Sequence, residues 1–171
     1  MEKERVAIFI DGSNLYHNLK RYNIKTKFEE IIGKVETKRE IVDIFYYTAL
    51  LDKSIDENRY KKHRKFLDKI GKIPNFNIVP CNLRKMILEN GSVDFAIKGD
   101  DVYLATDLIK GSYENLYDVA IIVSGDADFI PAIKLVQKNG KKVINAFFPK
   151  SSSYKLRNCC DGSINLRKVL L

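Results

Sequence analysis

Two short apolar runs, each ending in aspartate, constrain this chain more than any other feature. Val119-Ala120-Ile121-Ile122-Val123 offers water no polar side chain on either side. It therefore reads as a strand buried on both faces, as in a parallel sheet. It breaks at Ser124-Gly125 and presents Asp126 and Asp128 where a helix is expected to begin. Val6-Ala7-Ile8-Phe9-Ile10 is built the same way and ends in Asp11-Gly12-Ser13-Asn14. Ligands of open α/β sheets collect beyond the carboxyl ends of the strands. If these two strands are neighbours, their aspartates leave the same edge. Carboxylates placed there either cap helices, whose free N–H groups favour them, or repel one another until they share a proton or a cation. For Asp126 and Asp128 alone the two readings weigh equally. A third acidic pair, Asp100-Asp101, opens the helical pattern from Val102 to Ile109. Three segments then converge on one acidic pocket in a chain that is otherwise basic.

The 171 residues are most simply one domain, residues 1–171, large enough to bury a core without staples. A net charge of +8 favours polyanionic partners such as nucleic acid, although charge alone is weak evidence. Cys81, Cys159 and Cys160 lack zinc spacing, and an odd count without a secretion signal reads as reduced thiols in a cytoplasmic protein. The first apolar run is too short for a signal peptide, and no segment approaches the ~20 apolar residues of a membrane span.

A short helix is expected over 14–22, behind the first acidic turn, with its free N–H groups available to a phosphate. Phe28, Ile31, Ile32 and Val35 mark a second helix, and residues 40–51 contain a strand rich in β-branched and aromatic types. Tyr46 and Tyr47 in that strand read as packed side chains before they read as base-stacking ones. From Asp56 to Gly71 a helix buries Tyr60, His63, Phe66, Leu67 and Ile70, and its other faces carry a run of lysines and arginines. Lys61, Lys65 and Lys69, four apart, are the candidates for tracking a phosphate backbone, against an equal expectation of a plain solvated face. Residues 76–80 read as a third parallel strand ending at Cys81-Asn82, followed by a projecting hairpin around Asn90-Gly91. Within the helix after Asp100, Asp107 falls on the face of Asp100, while Asp101 points toward the core side and is the better pocket residue. A helix over 129–138, a strand over 142–148, a last helix capped by Ser151-Ser152-Ser153 and ending at Leu156, and a tail packed back on the sheet complete the expectation.

Phe9-Ile10-Asp11-Gly12-Ser13-Asn14-Leu15, Lys98-Gly99-Asp100-Asp101-Val102 with Leu104-Ala105-Thr106-Asp107-Leu108, and Ser124-Gly125-Asp126-Ala127-Asp128-Phe129 resemble the three signature blocks of NYN domains. More narrowly they resemble the LabA-like branch of the PIN-like nuclease superfamily, over about residues 5–160 and in the same order. The resemblance implies a Rossmann-like, three-layer α/β/α sandwich with a central, mainly parallel sheet. It also implies a ribonuclease-type site that uses Mg²⁺ or Mn²⁺. Carried over by position, Asp11, Asp101, Asp126 and Asp128 are the acidic metal-site residues, Asn14 and Ser124 the polar helpers, and Asp107 a less certain member. The position of Asp100 is often apolar in such proteins, so an extra carboxylate enters here, either joining the metal or facing solvent.

The chemistry fits the residues independently of the family. Cleaving a phosphodiester requires an activated water and neutralised charge on the phosphate oxygens, and three or four aspartates can seat one or two Mg²⁺ or Mn²⁺ ions for that purpose. In-line attack by water then leaves 5′-phosphate and 3′-hydroxyl ends. No Ser-His-Asp set, Cys-His pair, zinc motif, Walker loop or dinucleotide turn competes. The expected partner is RNA or another single-stranded nucleic acid, with a homodimer left open. The alternatives are a non-catalytic RNA-binding or regulatory module on the same fold and, more weakly, a phosphatase or nucleotidase acting on small substrates.

Overall fold

β1 (Arg5–Asp11) is the centre of the molecule, and its five apolar residues, Val6 to Ile10, are almost wholly excluded from water. The computed structural model describes residues 2–171, Ile97 through its backbone alone. β1 lies between β2 (Glu40–Ala49) and β5 (Val119–Val123), parallel to both. With β3 (Phe76–Ile87), β4 (Val93–Lys98), β6 (Lys142–Phe147) and β7 (Gly162–Asn165) the sheet runs in the order β4-β3-β2-β1-β5-β6-β7. Among the described residues only the β3–β4 pairing is antiparallel. The chain winds outward from β1 through β2 and β3, then returns to the other flank of β1 as β5. The strand order therefore reverses between β1 and β5, which makes that crevice the switch point of an open α/β sheet.

The two faces of β1 feed two cores. Val6, Ile8 and Ile10 pack with Leu15 of α1 (Gly12–Arg21), the apolar side of α2 (Phe28–Val35), Leu67 and Ile70 of α3 (Glu57–Ile70), and Leu166 of α7 (Leu166–Leu170). Ala7 and Phe9 pack with Leu104 and Leu108 of α4 (Asp100–Tyr113), Ile133 and Val136 of α5 (Ile130–Lys138), and Leu156 of α6 (Tyr154–Cys159). Period-2 alternation along one strand thus produces the three-layer α/β/α sandwich.

The structure corrects several expected boundaries. α1 starts at Gly12, because the Asp11 side chain itself accepts the Asn14 N–H as N-cap. The expected strand over 76–80 continues without a break into the hairpin, so β3 pairs with β2 up to Cys81 and with β4 from Asn82. Pro80 sits in the half of β3 that has only one neighbour, where a missing N–H interrupts no second ladder. α6 begins after Ser153, which accepts the Leu156 N–H, and runs past Leu156 to Cys159. Pro149–Ser151 forms instead a separate 3₁₀ turn. The tail contains a seventh strand, β7, which is too short and too polar to announce itself by periodicity.

The turn between Ser124 and Asp126 is clamped from outside. A Cβ on Gly125 would lie 2.0 Å from the Ser151 carbonyl oxygen, and the Ser153 N–H donates to the Gly125 carbonyl. Gly125→Ala should therefore lower stability by about 1–3 kcal/mol, the scale of forced overpacking, read as a shifted denaturant midpoint. Gly33→Ala is the control: it meets no neighbour within 4 Å on the exposed side of α2 and should stabilise by about 0.5–1 kcal/mol. Equal effects at the two glycines would refute the clamp.

Candidate metal centre

The register of β1 against β5 sets Ile10 opposite Val123, so the next residues, Asp11 and Ser124, leave the sheet side by side at the switch point. Asp11 is 8% exposed and both of its oxygens are held. One accepts the Asn14 N–H at 3.1 Å, and the other accepts the Ser124 hydroxyl at 3.2 Å. The Ser124 hydroxyl in turn accepts the Asp126 N–H, and the Asp126 carboxylate accepts the Asp128 N–H at 2.9 Å. Asp126 thus caps the 3₁₀ turn Ala127–Phe129 while contributing to the acidic cluster, so the two readings of these aspartates hold together. Gly12 is required at the other lip, since a Cβ there would lie 2.6 Å from the Tyr47 carbonyl.

α4 enters from the far side with Asp100 and Asp101 in its first turn, where the helix dipole favours negative charge. Carboxylate oxygens of Asp11, Asp100 and Asp101 lie within 4.8 Å of one another, as do those of Asp101, Asp126 and Asp128. Asp101 belongs to both sets, and the extra carboxylate of Asp100 joins the cluster. Burial, then Asp100, Asp126, Asp11 and Asp128 push the Asp101 carboxyl up to about 7. Burial also pushes Asp11 up to about 6, against the downward pull of its Asn14 hydrogen bond. An all-carboxylate donor set fits a hard, oxygen-seeking divalent cation better than a zinc-type ion.

The other expected residues fall as follows. Asn14 lines the same cleft, a space of about 330 Å³, and its side-chain oxygen accepts from Asn18. Asp107 lies outside both carboxylate sets and accepts the hydroxyl of buried Tyr47 at 2.9 Å. Tyr46 and Tyr47 are packed in the sheet, so neither presents a ring to a base. Lys61, Lys65 and Lys69 are exposed on α3 and do not line the cleft; Lys61 pairs with Glu57 at 3.2 Å. The sequence gives no separate role to Asn18, Arg21 or Asn145, and it offers Ser151 only as a helix cap, whereas Ser151 lines the cleft. Asn18 and Arg21 share the cleft face of α1 with Asn14 at helical spacing, a signal that was available. Asn145 on β6 donates to the carbonyls of Ile122 and Ser124 and so fixes the end of β5, which nothing local could reveal.

A doubly wound α/β domain with a cluster of carboxylates at its switch point defines a class of protein whose strand ends could hold a metal ion. The particular family follows from comparison: the NYN domain family model matches residues 5–167, and the chain belongs to that family, part of a nuclease superfamily. It is 24% identical over 168 residues to the "Low amplitude and bright protein LabA" of Synechococcus elongatus, covering 96% of this chain and 85% of that protein. A crystal structure of a Vibrio parahaemolyticus protein of unknown function superposes with a TM-score of 0.73 at 25% identity, covering 99% of this chain and 97% of the other. Among the described residues no helix is long and apolar enough to cross a membrane.

The raised carboxyls carry a stability signature. Asp11 and Asp101 keep protons in the native state that the unfolded chain releases near 3.8, so native stability without cation falls as pH rises from about 4 through about 7. Asp101→Asn removes one repelling charge. Its metal-free Tm should match wild type near about pH 4 and exceed it by several degrees near about pH 8. A Tm difference independent of pH would contradict mutual repulsion as the cause.

Proposed function

We propose that the chain is a metal-dependent nuclease that hydrolyses phosphodiester bonds in RNA, using Mg²⁺ or Mn²⁺. The observation that carries this reading is the pair of three-carboxylate sets joined at Asp101, on the floor of a cleft in a protein of net charge +8. Asp11, Asp101, Asp126 and Asp128 would hold the cation, with Asp100 beside them. Bound there, a divalent cation would supply charge neutralisation at the phosphate and activation of water.

The chain's own groups supply the rest. The Asn14 N–H and the Ser124 hydroxyl fix the Asp11 oxygens, so this ligand needs little reorganisation. The Asn14 side-chain oxygen accepts from Asn18, which leaves the Asn14 NH₂ group to orient water or a phosphate oxygen in the cleft that Asn14 lines. Asp101 and Asp11, whose carboxyls are pushed up to about 7 and about 6, would give up their protons to hold a cation, so metal affinity should rise with pH. Asp107 keeps buried Tyr47 satisfied and so supports α4 against β2 without joining the chemistry.

Cleavage of labelled RNA and DNA oligomers in Mn²⁺, Mg²⁺ or EDTA tests this reading. Asp11→Asn should still fold and bind RNA while losing about 10²-fold or more in rate, the scale of ~3 kcal/mol of lost transition-state stabilisation. Asp107→Asn should lose much less rate and about 1 kcal/mol of stability. A wild type that binds RNA but cleaves nothing with either ion would refute the nuclease reading and leave a binding module.

A further inference from the structure

The cleft has two walls of opposite character. The carboxylates form one, and the exposed face of α1 forms the other with Ser13, His17 and Arg21, each four residues from the last. That spacing makes a stripe leading roughly 12 Å away from the carboxylates toward the C-terminal end of α1. There the stripe meets a cluster of cations around one ring. Lys150 Nζ lies 5.8 Å and Arg167 Cζ 5.6 Å from the centroid of Tyr22, the residue next to Arg21. The cluster is built in, because the Lys150 N–H donates to the Tyr22 hydroxyl at 2.9 Å and the ring stacks on Phe148.

Among the described residues none of Arg21, Lys150 and Arg167 is in an ion pair, although the two cations at the Tyr22 ring repel. On α3 Lys61 is paired with Glu57 while Lys65 and Lys69 are unpaired among the described residues, but that helix lies off the cleft. Unpaired cations at the end of a polar stripe, opposite an acidic floor, suit an extended polyanion. Its reacting phosphate can lie at the carboxylates while its neighbours are neutralised further along. A single strand can turn one phosphate down to nearly buried Asp11, whereas a duplex would first have to open.

We propose that a single nucleic-acid strand crosses this protein along α1, with successive backbone phosphates at His17 and Arg21 and then at the Lys150–Arg167 pair around Tyr22. The path rests on the nuclease reading for the position of the reacting phosphate, and it gives that site its substrate class: a single strand, held by its backbone without base-specific contact.

The test is fluorescence anisotropy of a labelled oligouridylate against increasing KCl. Ca²⁺ replaces the catalytic ion, and strand integrity is checked on a gel. Arg21→Gln/Lys150→Gln/Arg167→Gln should make the log–log salt slope shallower by about 2, at about 0.7 per lost contact, and weaken binding at least about 10-fold at low salt. Arg21→Gln alone should account for about 0.7 of the slope, so the result does not hang on one triple variant. Lys61→Gln/Lys65→Gln/Lys69→Gln should leave the slope unchanged. Wild-type slopes in both α1-side variants would overturn the path, and a reduced slope in the α3 variant alone would move the strand to α3. Because binding is read without turnover, a protein that shows the predicted slopes but never cleaves would overturn the nuclease reading and leave the path standing.

Discussion

The parallel pairing of β1 with β5 is the interaction on which the rest of the site depends. Its register leaves Asp11 and Ser124 adjacent at the carboxyl edge, where the strand order reverses and no further strand covers the crevice. The Ser124 hydroxyl then links the two turns, donating to Asp11 and accepting from the Asp126 N–H. A slip of one residue between these strands would turn Asp11 from the crevice and drive Ala7 and Phe9 into the space fitted to Val6, Ile8 and Ile10. The fit of alternate residues of β1 to two different cores is thus also what holds the carboxylates in place.

Gathering those carboxylates carries an electrostatic cost that the fold partly offsets. Asp11 receives an N–H from the first turn of α1, Asp126 one from its own 3₁₀ turn, and Asp100 and Asp101 sit at the N-terminus of α4. These donors reduce the repulsion without abolishing it, since Asp11 and Asp101 still hold their protons well above the ordinary carboxylate range. A site left repulsive in this way is poised for a cation. The same acidic floor would turn away a polyanion, so the opposite wall and the far end of α1 need the positive charge they carry.

Close backbone approach does the remaining work. The 149–153 segment lies against Gly125, while Ser151 donates to Asn18 and Lys150 to Tyr22, so one short stretch ties α1 to the β5 turn. Buried Asn145 braces the same turn from β6. Residues distant in sequence therefore set the separation of the two cleft walls, and both walls lean on the same pair of turns.

Local pattern determined much of this protein in advance. The uninterrupted apolar runs of β1 and β5 could only be buried strands, and their acidic ends could be located without a structure. The three acidic blocks pointed to the family and to Asp11, Asp101, Asp126 and Asp128 as one group. Burial of Tyr46 and Tyr47 followed from their place in a strand. Tertiary structure decided what no local pattern encodes. It brought Asp100 into the cluster, drew Asp107 away to Tyr47, carried β3 unbroken into the hairpin and added β7 at the edge. It also placed Lys150 and Arg167 around Tyr22, more than a hundred residues away along the chain. Periodicity reports which side of an element avoids water, whereas distances between side chains on different elements arise only when the sheet closes its register and the helices settle on it.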